Sequence, residues 1–502
     1  MKKLFCLLLT CIIILGLSPA LAKKEDNTLV VGLSLEPITF DTFEAVTDQR
    51  DVPVLYNVYD TLVRVDADGT IQPHLAKSWE VSDDGLDYTI HLEENVYFHD
   101  GTHLTAEDVK FTIDGVKDTS NGTSLLLNLE SCEIIDDFTV RCHLSAPFAS
   151  FMMGFASRVG SIYCKSYYEK NGPDCLQDAP MGTGPYIFSE RIPGDQIVLK
   201  RNENWWKGDV PIETVILKTI VEPNTQIIAL ESGEVDLLLN PEVSYLTRLD
   251  ESRGVTWSYG TSSGQEMLYF TEVSTWGGNE NFRKAVQAAV DKEEVLLAVM
   301  EGLSYVLDIS MPYTYAGAPD PADCYTVPHD PEKAKEYLAA SGYNGEEFKV
   351  LVNTGTAAES IAKVVQGQLQ EYGINMTIMS TDTATFNSIN YNRDQFDAVI
   401  RFYQSSLNDA DTVAMVYATD TWGPSLFGYW PFSDEAEELY KEGRAAVGDA
   451  RKPIYARICS LINEYAVRIP FYTDINTVAH DVNLKGIKSH ALNMYYYDLL
   501  SW

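Results

Sequence analysis

Apolar and polar residues alternate in short runs through the first half of the chain. "DYTIHLEENVYFHDG" (87–101) steps two by two between turn residues, which predicts paired strands. "SCEIIDDFTVRCHL" (131–144) predicts a hairpin folding back at Asp136–Phe138. "TLVVGLSLEPITFD" (28–41) is a short apolar strand followed by a loop, and "GPYIFSE", "QIVLKRN", "TVILKTIV" and "EVDLLL" add further strands. The second half changes period. "FRKAVQAAV" places Phe282, Val286 and Ala289 on one helical face. Asp291 caps the next helix with Glu294 at its third position and Gly302 beyond its end. In "DPEKAKEYLAASGY", Asp330 caps, Pro331 takes the first helical position and Gly342 stops the helix. "FKVLVN", "ESIAKVVQGQLQEYG", "MTIMS" and "FDAVIRFYQ" then read strand, helix, strand, strand. That order predicts an α/β layer with parallel strands, whose ligands sit beyond the strands' carboxyl ends.

With 502 residues, two or three domains are expected. "MKKLFCLLLTCIIILGLSPALAKKED" has a basic start, an apolar stretch from Leu4 to Leu17 and a small-x-small site at Ala20–Ala22. This predicts a signal peptide (1–22) cleaved after Ala22, an exported (periplasmic) soluble protein, and six of the eight cysteines left in the mature chain. Losing Lys2 and Lys3 takes the net charge from −36 to −38, which argues against binding nucleic acid or anionic lipid. Export permits disulfides. Cys132 and Cys142 lie an even step either side of the hairpin turn; Cys164 and Cys175 bracket a short loop. These are the candidate pairs, while Cys324 and Cys459 have no local partner.

The acid- and histidine-rich "VYFHDGTHLTAEDVKF" (96–111) invites a metal reading through His99 and His103. Local structure explains it better. Thr105 is a helix N-cap, Asp108 stands at the third helical position, and Glu107 and Asp108 suit the first turn electrostatically. No metal site, catalytic residue or cofactor is expected.

The block "HLAKSWEVSDDGLDYTIHLEENVYFHDGTHLTAEDVKFTID" (74–114) resembles the signature of the extracellular solute-binding proteins, family 5, the peptide- and nickel-binding receptors of ABC transporters. "MGTGPYIF", "RNENWWKGDVPIETVILKTI", "FRKAVQAAVDKEEV" and "HDPEKAKEYLAASGY" extend the resemblance in the family's order along nearly all of the mature chain. It implies an α/β fold of two lobes around a cleft, with hinge crossing strands and an extra N-terminal subdomain. Lobe I would comprise 27–48, 182–264 and 480–502, the subdomain 49–181, and lobe II 265–479. The implied partners are a small-molecule or peptide ligand and the transmembrane subunits of an ABC permease, with the receptor a monomer.

The resemblance also nominates ligand contacts. In "FDAVIRFYQSSLNDAD", Tyr403 takes the aromatic position of the peptide receptors and Asp409 their later acid; Ser405 and Ser406 lie between. Ser406 stands where those receptors carry the acid that pairs with a ligand ammonium, so capture of a free peptide amino terminus by that route is not expected. Arg158 sits where nickel-chelate receptors hold a carboxylate, and Arg401 is a second candidate for the same bidentate chemistry. Glu36, Phe40, Tyr186, Thr271 and Trp276 come from loops the fold would aim at the cleft. The ligand is expected to be peptide-like or carboxylate-bearing, with a metal chelate among the candidates. Two other readings remain: a secreted hydrolase using Ser262 of "GTSSG" (260–264), which would need a strand before it and a helix after it, and a sensory or chaperone-like binder on the same fold.

Overall fold

The structure is a computed structural model that describes residues 27–43, 49–67, 69–249, 253–405, 407–419 and 423–502. The signal-peptide reading and Ser406 lie outside the described residues.

The described chain opens with β1 (Thr28–Leu33). A two-stranded ribbon follows, β2 (Val63–Val65) with β3 (Ile71–Pro73). Next comes an antiparallel sheet of β4 (Ala76–Val81), β5 (Asp87–Leu92), β6 (Leu129–Asp136) and β7 (Thr139–Leu144), in the order β4-β5-β7-β6. Nine more strands complete the fold: β8 (Tyr186–Ile192), β9 (Gln196–Arg201), β10 (Thr214–Thr219), β11 (Leu237–Leu239), β12 (Val255–Phe270), β13 (Glu347–Asn353), β14 (Asn375–Thr381), β15 (Ala398–Gln404) and β16 (Arg468–Asp481). With β1 they form one ten-stranded sheet, β14-β13-β15-β12-β16-β11-β1-β10-β9-β8. β13 pairs in parallel with both β14 and β15, as the alternation of strands and helices predicts.

The sheet is shared by two lobes because β12 and β16 run through both. Val255–Thr261 pairs with Asp481–Ile475 beside β11, while Gln265–Tyr269 pairs with Thr473–Arg468 beside β15. The register breaks between Thr261 and Gln265. There Thr473 Oγ1 donates to the carbonyls of Ser262 and Gly264, and the Tyr315 hydroxyl donates to Ser263 O at 2.6 Å. Gly264 has a packing reason: a Cβ there would lie 2.3 Å from the Phe402 ring.

Separate apolar cores accompany this plan. One contains Met267, Phe282, Phe348, Val399, Tyr417, Ile458 and Phe471. A second lies inside the small sheet, with Tyr88, Ile90, Val140 and Phe151. A third, with Leu29, Tyr59, Tyr186, Leu217 and Tyr497, joins the start of the chain to its end.

Sequence segments that carry the resemblance meet at one buried carboxylate. Asp60 accepts from His74 Nε2 at 2.6 Å, Thr183 Oγ1 at 3.0 Å and Trp206 Nε1 at 2.8 Å. Burial opposes the charge, but His74, Arg64 and the Trp206 hydrogen bond hold this carboxyl well below the usual range. The motifs therefore lock the subdomain to its lobe.

Candidate functional site

The end of β15 and the turn after it meet the subdomain at the boundary between the lobes. A cavity of about 220 Å³ is lined on one side by Ser124, Leu125, Leu127 and Phe148 and on the other by Tyr403, Ser405, Asp411, Thr412 and Tyr440. The two sides touch around it. Leu407 packs into the subdomain core. Ala149 N donates to Arg444 O at 3.2 Å, and the Arg444 guanidinium lies 5.5 Å from the Phe148 ring centre. Ser150 Oγ hydrogen-bonds Asp409. A larger cavity of about 650 Å³, lined by Arg64, Lys207, Lys488, His490 and Tyr495, draws on the other lobe and the C-terminal segment and has no lobe II wall.

Local structure sets these positions. β15 presents Tyr403, whose hydroxyl donates to Thr412 O at 3.1 Å and so ties the strand to the following turn. Ser405 Oγ accepts from Leu407 N at 3.2 Å. Asp409 is held by Arg451 through two bonds, 2.6 and 2.8 Å, and is buried. It is thus an interlobe tie with both oxygens engaged. Asp411, two residues on, is different. Its Oδ1 accepts from Tyr455, but its Oδ2 has no hydrogen-bond partner, and the residue lines the cavity. Burial and the neighbouring Asp409 push its carboxyl well up from the usual range. Sequence reasoning missed Asp411; an acid two positions beyond Asp409 in the same turn was the available signal.

The remaining nominated residues are spread out. Arg158 lies in the turn Arg158–Gly160 of the subdomain and donates to Asn121 Oδ1 at 3.3 Å; Asn121 shares the helix Ser120–Leu125 with the cavity residues Ser124 and Leu125. Arg401 lies on β15, its guanidinium 5.6 Å from the Phe427 ring. Glu36 is paired with Arg191 at 2.9 Å and accepts from Gly194 N. Phe40 and Tyr186 are fully buried in the core that joins the chain ends. Thr271 Oγ1 donates to Arg393 O at 3.1 Å, and Trp276 packs between Phe282 and Tyr343. Of the nominated residues, Tyr403 and Ser405 line the interlobe cavity; Glu36, Phe40, Arg158, Tyr186, Thr271, Trp276, Arg401 and Asp409 do not. Loops after strands were expected to point at the cleft; here the side chains of Glu36, Phe40, Tyr186, Thr271 and Trp276 turn inward or pair within their own lobe.

Ser262 is buried inside the continuous strand β12, and its Oγ accepts from Gly264 N at 2.9 Å. The strand–turn–helix that would present a nucleophile is not what this segment forms. His99 and His103 bond the carbonyls of Gly184 (3.0 Å) and Glu94 (2.7 Å), and Thr105 with Asp108 forms a capping box. Cys132 and Cys142 stand directly opposite in the β6–β7 register. Cys164 and Cys175 belong to different cores. These four, and likewise Cys324 and Cys459, are free thiols in the structure.

The family described as bacterial extracellular solute-binding proteins, family 5, middle, matches residues 70–425. That is well over half of the chain, and the chain belongs to this family. Heme-binding protein A of Haemophilus influenzae is 31% identical over 359 residues, 65% of this chain and 64% of that protein. The glutathione-binding protein GsiB of Escherichia coli K12 is 24% identical over 495 residues, 95% of each chain. Among solved structures, HbpA2 from Haemophilus parasuis superposes with a TM-score of 0.83 at 24% identity, covering 94% of this chain and 99% of that one. The fold is the two-lobed binding-protein fold. No helix among the described residues is long and apolar enough to cross a membrane.

Proposed function

We propose that this protein captures a small carboxylate-bearing solute between its lobes and delivers it to the permease of an ABC importer. The observation that carries the reading is the cavity walled by Phe148 and Ser124 on one side and Tyr403, Ser405 and Tyr440 on the other. Aromatic walls give broad contact with little rotamer loss. Lobe I is 27–48, 182–264 and 480–502, the subdomain 49–181 and lobe II 265–479; the register break at Ser262–Gly264 is the hinge. Closure brings Ser150 to Asp409 and Ala149 to Arg444, contacts made across the boundary. A ligand that fills the cavity adds to these contacts and shifts the population toward the closed form, which the permease accepts.

The carboxylate-binding charges in this reading are Arg158 and Arg401, which stand behind the cavity walls: Arg158 bonds Asn121 on the helix that carries Ser124, and Arg401 precedes Tyr403 by two residues on β15. Two relatives named for their ligands support this class, since heme and glutathione both carry two carboxylates. In a chain of net charge −36, an anionic solute requires such local cations. A thermal-shift screen of small peptides, porphyrins and organic acids tests the proposal. A true ligand at about 100 times its Kd adds about 2.7 kcal/mol of stability; the absence of a shift with every carboxylate-bearing compound, alongside a shift with a neutral solute, overturns it.

A further inference from the structure

Two cysteines separated by 134 residues meet on lobe II. Cys324 ends the short turn Pro321–Asp323, within the irregular segment 301–330 between the helices Lys292–Met300 and Pro331–Ser341. Cys459 lies on the helix Lys452–Glu464 that feeds β16. The backbone next to each is already docked. Tyr325 N donates to Ser460 Oγ at 2.9 Å, and Tyr325 O accepts from Asn463 Nδ2 at 2.9 Å. That places residues 324 and 459 side by side, with the Cys324 thiol donating to Asp320 O at 3.6 Å. Cys459 is fully buried, Cys324 only partly so.

We propose that Cys324 and Cys459 form a disulfide that fastens segment 301–330 to the helix behind it. A thirty-residue segment with little regular structure is unusual in a compact domain unless it is functional or tied down. This one carries contacts at the hinge and the site. Tyr315 bonds Ser263 O, Ser310 O accepts from Gln265 Nε2 at 3.4 Å, and Ala316 exchanges backbone bonds with Asn408 O and Ala410 N at 2.9 and 3.0 Å. Fastening it therefore holds the turn that carries Asp409 and Asp411.

The chemistry is thiol–disulfide exchange with a disulfide oxidant of the exported compartment. Cys324 gives up its proton and its thiolate attacks one sulfur of the oxidant, releasing the first thiol. Cys459 then attacks the Cys324 sulfur of that mixed disulfide and releases the second thiol. Two protein thiols become one disulfide, and the oxidant's disulfide becomes two thiols. Cys324 suits the first role because it is the partly exposed member of the pair and can meet the oxidant, whereas Cys459 is fully buried.

The test uses the full mature chain, fully reduced and then treated with 2-hydroxyethyl disulfide. It is alkylated without reductant, digested and mapped by mass spectrometry. The expected result is a peptide linking Cys324 to Cys459, together with slower hydrogen exchange over 301–330 in the oxidised form. Reductant should lower the thermal midpoint less in Cys324→Ser than in the wild type. Recovery of both cysteines as alkylated free thiols, their linkage to other cysteines, or an equal fall in midpoint in the two proteins overturns the proposal. The partly exposed Cys324 is substituted because it disturbs packing least, and the wild-type mapping stands without any variant.

Discussion

Arg451 grips Asp409 with two guanidinium nitrogens, 2.6 and 2.8 Å from its two carboxylate oxygens, and both side chains are buried at the boundary between the lobes. Asp409 also takes the Ser150 hydroxyl from the subdomain. Removing one member of a buried pair strands the other charge, at about 3–5 kcal/mol. Arg451→Ala is therefore expected to lower the free energy of unfolding in urea by that amount. Ser150→Ala removes only the link across the boundary and is expected to leave stability within about 1.5 kcal/mol of the wild type. An Arg451→Ala protein as stable as the wild type would contradict the structural role of Asp409.

Glu266 on β12 is buried with Oε2 unpartnered. Burial first, and then Asp474, raise its carboxyl from the ordinary 4.5 to about 8. A folded-state value above the unfolded one means the folded protein binds the proton more tightly. Stability from this group is complete below about pH 4.5 and is lost as the pH rises toward about 8. Glu266→Gln is expected to match the wild type at pH 4.5 and to exceed it at pH 8. Urea unfolding across that range checks this; parallel curves for the two proteins would refute it.

What was legible in the chain was local. The caps at Thr105, Asp291 and Asp330 follow from a few consecutive residues, and each side chain bonds the backbone it should. The parallel β13, β14 and β15 followed from the change of period. The site was less so, because its walls come from residues hundreds of positions apart. Nothing near Asp409 announces that Arg451 will occupy it. An aromatic near a strand's end, such as Phe40 after β1 or Tyr186 at the start of β8, reads alike whether it faces a cleft or a core. Cys324 and Cys459 had no partner within reach of spacing arguments; the docking of Tyr325 on Ser460 and Asn463 brings them together.

Cys132 and Cys142 occupy facing positions on β6 and β7. Under oxidising purification they are expected to cross-link, and non-reducing peptide mapping should recover a single 132–142 pair. Two alkylated thiols there would show that the hairpin keeps them reduced.

If Arg158 and Arg401 hold a ligand carboxylate from opposite jaws, removing either leaves a desolvated charge unmatched. Arg158→Ala and Arg401→Ala are each expected to weaken binding of the molecule released from the wild-type protein by well over tenfold, since such losses run to about 2–5 kcal/mol. Calorimetric titration gives the ratio. Normal affinity in both variants would remove the arginines from the account and leave Asp411 as the charged group at the cavity.

In the proposed complex the solute sits between Phe148 and Tyr403. Ser124 lines that cavity from an exposed position on the helix Ser120–Leu125, so a larger side chain there fills the cavity without disturbing a core. The deciding measurement is mass spectrometry of small molecules released by unfolding wild-type and Ser124→Trp protein purified side by side. The expected result is a carboxylate-bearing molecule from the wild type and none from the folded variant. Equal release from both, or a released molecule without a carboxylate, would contradict it.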